Sequence, residues 1–177
     1  TTFEIWSRTD LDESKPMQYR LAEAPTENAS KLGPGVYGVM FELDNDQMIV
    51  TGRLGEISYP RGWYVYVGSA MGGLSGRLQH HLGPHKKPFW HIDHLLPKGR
   101  PVAVAALETD QKVECDVASR LRGRFTAFKR FGSSDCRCPG HLFASDAYQP
   151  LLDSLMESFK STGRMPRVIE VIDGSRG

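Results

Sequence analysis

The sequence predicts an α+β fold in which short strands at the front of the domain form an antiparallel sheet and helices follow. The strands are indicated by short runs rich in Val, Ile and Tyr, with turn residues between consecutive runs. The helices are indicated by apolar residues that recur every three or four positions in later segments. At 177 residues the chain has the size of one domain with extensions.

The first strands follow a break at residues 33–35, Gly-Pro-Gly, after a polar, acidic stretch (1–30) that predicts an extension or a packed arm. Turn residues at 44–46 separate the first two strands, and Pro-Arg-Gly at 60–62 ends the third. Because such turns join neighbouring antiparallel strands, this part of the chain predicts hairpins. The runs expected to form strands here are 36–43, 47–52, 55–59 and 63–69.

The second half alternates helices with short strands and one loop. Leu74, Leu78 and Leu82 recur every four residues and predict a helix over 74–82 with its apolar side toward the core. The remaining segments are expected to be a short helix at 90–96, a buried strand at 101–107, a helix at 111–123, a loop at 131–143, an amphipathic helix at 149–160 and a strand at 167–172.

Composition and charge narrow the class of protein. No run approaches 18 apolar residues and the first residues lack the pattern of a signal peptide, so we expect no membrane contact. Three cysteines are not a secreted disulfide framework, and a cytoplasmic location is therefore expected. Residues 61–141 carry 13 Lys and Arg against 6 Asp and Glu. This excess predicts a surface for a polyanion, with an ordinary solvated face as the alternative.

Five residues in the central region are of types that cleave phosphodiester bonds: Tyr37, Tyr66, Arg77, His81 and Glu114. Each tyrosine stands beside a glycine on a predicted strand, and the arginine and histidine are four residues apart, on one face of the predicted helix. A carboxylate binds Mg²⁺ or Mn²⁺, and a guanidinium stabilises phosphate charge. A tyrosine or histidine positions or deprotonates the attacking water. The alternatives are two core tyrosines and an arginine in a surface ion pair.

In these residues the chain resembles the GIY-YIG nuclease superfamily. Gly-Val-Tyr at 35–37 stands for the first signature and Tyr-Val-Gly at 66–68 for the second. The closer resemblance is to the branch known as domain of unknown function 123. This resemblance covers about residues 33–145. The motifs that carry it are Tyr-Val-Gly-Ser-Ala (66–70), Trp-His-Ile-Asp (90–93), Glu-Cys (114–115) and Gly-Ser-Ser-Asp-Cys-Arg-Cys-Pro-Gly-His-Leu-Phe (132–143).

The resemblance implies a small central antiparallel sheet flanked by helices, with the two tyrosines on adjoining strands. It implies a metal-dependent DNA endonuclease that binds its ion through Glu114 and uses the other four residues in catalysis. Some members of the branch are fused to endonuclease III-type repair glycosylases, so the resemblance points to damaged or structured DNA and to a glycosylase as a partner. The chain then divides into an N-terminal extension (1–32), a nuclease domain (33–145) and a C-terminal helix and strand packed on it (146–177).

The sequence departs from the superfamily pattern in two places. The tyrosines are 29 residues apart, farther than is usual, so residues 44–62 are expected to form an inserted hairpin. The asparagine that many members carry after the glutamate has no counterpart. Either Asp135 or His141 takes its place, or the activity is weak or absent. A nucleic-acid-binding module that no longer cuts DNA is therefore the alternative function.

Further residues are expected to support the site or to bind substrate. They are Gly68, Ser69, Lys86, Lys87, His91, Asp93, Ser134, Asp135 and His141. The cations expected to contact the DNA backbone, besides the two lysines, are Arg120, Arg122, Arg124, Lys129 and Arg130. Trp63, Phe89 and Trp90 are expected in the core, with stacking on a base as the alternative.

Several groups leave alternatives open. Asp116 and Glu108 compete with Glu114 as the metal ligand, and the resemblance favours Glu114. His91 and Asp93 either support the site or pin a helix. The five histidines at 80, 81, 85, 91 and 94 lack the spacing of a zinc site. The remaining zinc candidate is a Cys₃His set in an interaction domain, formed by Cys115, Cys136, Cys138 and His141, with a tight hydrogen-bonded loop as the alternative. A nucleophilic cysteine has no neighbouring base in the sequence.

Overall fold

The computed structural model describes residues 32–83 and 87–172, together with the backbone of two short strands near the N-terminus. In chain order the strands are β1 (Thr2–Ser7), β2 (Arg20–Leu21), β3 (Gly35–Leu43), β4 (Gln47–Val50), β5 (Glu56–Tyr59), β6 (Gly62–Ala70), β7 (Arg100–Glu108), β8 (Thr126–Ala127), β9 (Leu142–Ser145) and β10 (Arg167–Ile172). The α-helices are α1 (Leu74–Leu82), α2 (Ile92–Leu95), α3 (Glu114–Arg122) and α4 (Tyr148–Lys160).

Eight strands form one antiparallel sheet in the order β2-β1-β10-β7-β3-β6-β9-β8. The central strand β3 pairs with β6 on one side and with β7 on the other. The strands β4 and β5 pair with each other as a separate hairpin between β3 and β6. The predicted α+β fold is therefore confirmed, and residues 44–62 contain the expected hairpin.

The sheet is the middle layer of the fold, because both of its faces are covered. Side chains alternate along β3: Val36 and Met40 pack into a core with α3 and α4, whereas Tyr37 packs on the opposite face with α1 and α2. Burial on both faces explains why β3 is apolar almost throughout, without the polar alternation of a half-exposed strand. The central tyrosines therefore share one face, the face that α1 covers.

The predicted helix over 74–82 is exact, and the predicted strand over 167–172 is exact as well. Two expectations need correction. The segment 131–143, expected to be a loop throughout, ends in β9, which begins at Leu142 and pairs with β6. The helix expected over 111–123 begins only at Glu114. Strand β1, in the stretch expected to be an extension or packed arm, pairs with β10 at the side of the sheet.

Within residues 32–83 and 87–172 and the two N-terminal strands, no helix has the length and apolar character that a membrane crossing requires.

Candidate active site

One cleft lies beside the end of β6 and gathers side chains from α1, α3 and two loops. Nine of the residues predicted from the sequence line it, namely Tyr66, Gly68, Ser69, Arg77, His91, Glu114, Ser134, Asp135 and His141. Phe89, Trp90 and Gly132 complete its walls. Residues far apart in sequence are thus brought to one place, beside strand β6 and the start of helix α3.

Tyr37 is fully buried. Its hydroxyl lies against Gly68, which lines the cleft. Its hydroxyl is 2.7 Å from His81 Nε2. Burial raises the pKa of Tyr37 to about 12, although the Arg77 guanidinium acts in the opposite direction. Burial also lowers the pKa of His81 from its usual value, and Asp93 only partly offsets this effect. At neutral pH the imidazole is therefore neutral. Because its Nδ1 faces the Asp93 carboxylate, we place the ring proton on Nδ1, which makes the Tyr37 hydroxyl the donor to Nε2.

Asp93 supports this pair from behind. Its Oδ1 is 3.4 Å from His81 Nδ1, which is an ion-pair distance but too long for a well-formed hydrogen bond. Its Oδ2 accepts hydrogen bonds at 2.9 Å from the backbone N–H groups of Phe89 and Trp90 and is 2.9 Å from His80 Nε2. Burial acts to raise the pKa of Asp93, but the hydrogen bonds outweigh it and hold that pKa well below its usual value. Asp93 therefore stays ionised and fixes the segment that carries Trp90.

His81 differs from the sequence expectation, which placed it with Arg77 at the boundary of the helix. Its side chain has no exposed surface, because α1 turns it toward Tyr37 and Asp93. Arg77 remains half-buried at the cleft wall, as expected. Its Nη1 donates to the Ser69 carbonyl at 2.9 Å, and its guanidinium carbon lies 4.0 Å from the Trp90 ring centre. These two contacts hold the guanidinium plane while leaving further N–H donors.

Glu114 begins α3 and points a carboxylate at the cleft. Its Oε2 is buried and has no hydrogen-bond partner among the described residues. An unpartnered buried carboxylate oxygen is costly unless a cation or donor binds there, so this geometry fits a divalent ion with oxygen ligands. The two competing carboxylates lie elsewhere: Asp116 is exposed, and Glu108 accepts a hydrogen bond from the Gly33 backbone.

Two glycines allow the tyrosine rings to lie where they do. A Cβ at Gly68 would stand 2.6 Å from the Tyr37 hydroxyl, and a Cβ at Gly132 would stand 2.6 Å from the Tyr66 ring. Gly132 also has a φ of 68°, in the left-handed region that glycine adopts most readily. Gly68 was predicted from the sequence as part of the site, and the structure gives the reason for its small size.

We expect Gly68→Ala to lower the free energy of unfolding by roughly 1–3 kcal/mol, the usual cost of overpacking. The added methyl group would displace the Tyr37 ring and separate its hydroxyl from His81. Urea unfolding followed by circular dichroism measures the change. Gly72→Ala is the control, since nothing lies within 4 Å of its Cβ position. Equal stability of the two variants would contradict this account of the tyrosine packing.

The three predicted cysteines cluster with His141, which also lines the cleft together with Glu114. Cys115 follows Glu114 in α3, and Cys136 and Cys138 lie in the loop before β9. Burial raises the pKa of Cys115 and of Cys136, so both thiols are protonated at neutral pH. A raised pKa opposes the thiolate that a nucleophilic cysteine requires. The expectation that no base neighbours a cysteine is wrong, because His141 Nε2 lies 3.4 Å from the Cys136 Sγ.

Residues 36–164 match a protein-family model described as "Domain of unknown function DUF123". The chain belongs to this family. The match runs from β3 to the turn after α4 and so contains the entire cleft. The chain matches neither a curated protein nor a solved structure.

The sequence alone does not assign the positions of Trp90 and Phe89 in the DUF123 domain. Trp90 lines the cleft under Arg77, and Phe89 beside it is 77% exposed, so the expected core position is wrong for Phe89. The Trp-His-Ile-Asp motif (90–93) is the sequence feature that could have located this part of the cleft wall. Trp63 is half-buried and packs on Tyr148, 4.9 Å between ring centres.

Among the predicted cations, Lys87 and the exposed basic residues of α3 and the following loop lie outside the cleft lining. Arg124 is engaged within the DUF123 domain, since its Nη1 lies 3.2 Å from Glu157 Oε2. Lys86 and His85 lie outside the described residues. His91 accepts a hydrogen bond at Nδ1 from the Gly132 backbone N–H at 2.9 Å, which ties the cleft wall to the loop.

The buried neutral His81 makes the stability of the DUF123 domain depend on pH. The unfolded chain takes up a proton at this histidine near pH 6.5, whereas the folded chain does so only at a lower pH, because burial lowers the pKa of His81. The contribution of His81 is thus fully present above pH 6.5 and is lost at up to about 1.4 kcal/mol per pH unit as the pH falls toward its folded pKa, and His91 and His141, whose pKa values burial also lowers, act in the same direction. Urea unfolding between pH 7.5 and 5 measures the slope, and His81→Gln is expected to flatten it. An equal slope in that variant would contradict the assignment.

Proposed function

We propose that this DUF123 domain is a metal-dependent DNA endonuclease of the GIY-YIG superfamily that hydrolyses phosphodiester bonds. The observation that carries the proposal is the cleft itself. It brings together a carboxylate with an unpartnered buried oxygen, a guanidinium held in a fixed plane and a tyrosine. Tyr37 and Tyr66 lie on the paired strands β3 and β6, which is the placement that the resemblance implies.

Glu114 is the residue that would hold the divalent ion, Mg²⁺ or Mn²⁺. When bound, such an ion supplies Lewis-acid stabilisation of the phosphate oxygens during the displacement. The chemistry of the ligand fits, because both ions prefer oxygen and keep several waters, so that one protein carboxylate is enough to hold them beside a substrate phosphate. Asp135 and His141, the two candidates to replace the missing asparagine, both line the same cleft, and we assign the place to Asp135 because its carboxylate is an oxygen ligand.

Arg77 would bind the scissile phosphate. A guanidinium offers planar N–H donors that match phosphate oxygens in pairs, and its charge stabilises the equatorial oxygens of the transition state. The Ser69 carbonyl and the Trp90 ring hold this plane before substrate arrives. Preorganisation of this kind matters because the group does not need to reorient while the reaction proceeds.

Tyr66 is the tyrosine that lines the cleft, and we assign it the positioning of the attacking water. The Tyr37 and His81 rings lie beside it, with centroids 6.2 and 6.3 Å from the Tyr66 ring. This pair would act as the base by a relay: the Tyr37 oxygen takes a proton from the attacking water while the Tyr37 hydroxyl proton passes to His81 Nε2. Asp93, ionised behind His81, would stabilise the imidazolium that forms.

DNA is the proposed substrate, and damaged or structured DNA the proposed class, with a repair glycosylase as a partner. The basic excess of residues 61–141 supports a polyanionic substrate. The exposed Phe89 at the cleft wall supports a partly unpaired one, because an aromatic ring in this position stacks on an unstacked base.

The test is cleavage of end-labelled oligonucleotides by the full chain in Mg²⁺, Mn²⁺ or EDTA. The panel contains intact duplex, single strand, an abasic duplex, a flap and a four-way junction. We expect cutting with either metal, none in EDTA, and a preference for a substrate with unpaired bases. DNA binding without cutting of any substrate would contradict the nuclease and leave the alternative, a non-catalytic nucleic-acid-binding module. The missing asparagine and the raised pKa of both tyrosines favour that alternative.

A further inference from the structure

We propose that Cys115, Cys136, Cys138 and His141 form a zinc site that joins α3 to the loop before β9. The ligand atoms of the four side chains all lie within 4.8 Å of one another. Three sulfurs and one imidazole nitrogen are the donor set of Cys₃His zinc sites. This inference concerns a second metal position, with softer ligands than the Glu114 carboxylate, and does not depend on the nuclease proposal.

Two of the six ligand-to-ligand distances agree with the edges of a zinc tetrahedron. With Zn–S near 2.3 Å and Zn–N near 2.0–2.1 Å, a sulfur and a nitrogen ligand stand about 3.6 Å apart. His141 Nε2 lies 3.4 Å from Cys136 Sγ and 3.9 Å from Cys115 Sγ. These two edges lie on either side of the expected length. The other four are each within 4.8 Å, against about 3.8 Å between two zinc-bound sulfurs, so closing the site requires side-chain shifts of at most about 1 Å.

His141 is already oriented as a metal ligand. Its side chain is buried, and its Nδ1 is 3.1 Å from the Val67 carbonyl oxygen. A carbonyl only accepts, so Nδ1 carries the proton and the lone pair of Nε2 faces the thiols. A hydrogen bond from the second ring nitrogen to a backbone carbonyl is the usual support of a zinc-bound histidine. The Val67 carbonyl belongs to β6, so the sheet fixes the direction of this ligand.

Hydrogen bonding holds this cluster through long sulfur contacts. The Cys136 Sγ lies 3.4 Å from His141 Nε2 and 3.9 Å from the Ser133 carbonyl oxygen, and the Cys115 Sγ lies 3.9 Å from the same His141 Nε2. One Zn²⁺ would engage all three sulfurs and the nitrogen together, and the three thiol protons would be released to solvent. The spacing of one residue between Cys136 and Cys138 is tighter than in zinc fingers, but the other two ligands come from separate segments, so the loop alone need not close the site.

The loop is held at its base in a way that suits this role. The His141 backbone N–H donates to the Phe131 carbonyl at 2.8 Å, so the two ends of the loop, at Phe131 and His141, lie side by side. Between them, Arg137 is exposed and stands between two of the ligands. Zinc would fix the middle of the loop to the first turn of α3, where Cys115 directly follows Glu114.

Metal content and spectroscopy test the site without any nucleic acid. The full chain, prepared without chelator, is expected to hold about one zinc per molecule by plasma mass spectrometry. Exchange for Co²⁺ should give the visible bands of a tetrahedral ion and a near-ultraviolet thiolate-to-cobalt band. A metal-free protein that gives neither band on addition of CoCl₂, and has three freely titrating thiols, would overturn the proposal.

Variants locate the metal. Cys138→Ser and His141→Asn should each lose the zinc and the tetrahedral cobalt spectrum. The asparagine amide N–H keeps a donor for the Val67 carbonyl while it removes the Nε2 lone pair. His91→Asn is the matched control, because His91 also lines the cleft but accepts a hydrogen bond from the Gly132 backbone. The His91→Asn protein should retain the zinc bound at the cysteines. Full zinc content in both cluster variants would place the metal elsewhere and overturn the assignment.

Limited trypsin digestion supplies a readout of the proposed joining role. Removal of zinc is expected to accelerate cleavage after Arg137 several-fold, because the loop is then released from α3. Cleavage after the exposed Arg164, in the turn following α4, should not change. Equal cleavage after Arg137 in zinc-bound and zinc-stripped protein would contradict the joining role.

Discussion

Replacing Glu114 with glutamine is expected to abolish metal-dependent DNA cleavage, with a fall in rate of about 10³-fold or more. The substitution keeps the size of the side chain, but it replaces one acceptor oxygen with an NH₂ donor and removes the charge that a divalent ion requires. Loss of several kcal/mol of transition-state stabilisation corresponds to this factor. The effect is expected to be large because the buried Oε2 of Glu114 has no hydrogen-bond partner among the described residues, which fits a role in binding the ion. Single-turnover cleavage of the preferred oligonucleotide in Mg²⁺ and in Mn²⁺ measures it.

The control for this prediction is Asp116→Asn, which also removes one negative charge from the first turn of α3. Asp116 is exposed and does not line the cleft, so its loss should change the rate little. DNA binding in EDTA should be equal in the wild type and both variants. Cleavage by Glu114→Gln at the rate of Asp116→Asn would remove Glu114 from the mechanism, while leaving the zinc proposal untouched.

Much of the site was predictable because it lies on elements with strong sequence signals. Leu74, Leu78 and Leu82 are buried as their spacing predicts, and this phase places Arg77 at the cleft. The two tyrosine runs are apolar enough to mark central strands, and β3 pairs with β6 along its whole length. Local periodicity and ordered motifs therefore sufficed for the fold class and for most of the cleft residues.

The parts that were not predictable depend on tertiary contacts. Strand β9 has only four residues, and its conformation comes from pairing with β6, so no periodicity reveals it. His81 is buried because Tyr37, forty-four positions earlier, supplies a partner for its ring nitrogen. Phe89 is exposed because Asp93 binds the backbone of its segment and presents it at the cleft wall. In each case a long-range or backbone contact outweighs the preference of the residue type.

The two metal proposals meet at the first turn of α3. Glu114 and Cys115 are consecutive, yet the first lines the cleft and the second faces the thiols of the loop. Consecutive residues of a helix point about 100° apart, so one turn can serve both positions. Their ligand types also separate them, because oxygen ligands suit Mg²⁺ and Mn²⁺ whereas thiolates select zinc. Each proposal therefore has its own readout: DNA cleavage for the carboxylate, and zinc content for the cysteines.

Arg77→Lys is expected to reduce the single-turnover cleavage rate by about 10²–10³-fold, the usual cost of removing one preorganised donor from a charge-stabilising site. Lysine keeps the positive charge, but it lacks the paired N–H donors with which a guanidinium would bind two phosphate oxygens. It also lacks the planar group that lies over the Trp90 ring. Because the charge is unchanged, DNA affinity and its dependence on salt should stay close to those of the wild type. The loss should therefore appear in the cleavage rate of bound DNA.

Arg120→Lys is the matched control for this substitution, since Arg120 is exposed on α3 outside the cleft and should tolerate lysine without a change in rate. Arg77→Ala extends the series, because it removes the charge as well and should weaken both cleavage and binding. If Arg77→Lys cut DNA as fast as Arg120→Lys while Arg77→Ala did not, charge alone would suffice. The fixed plane on Trp90 would then be a packing contact without a part in phosphate binding.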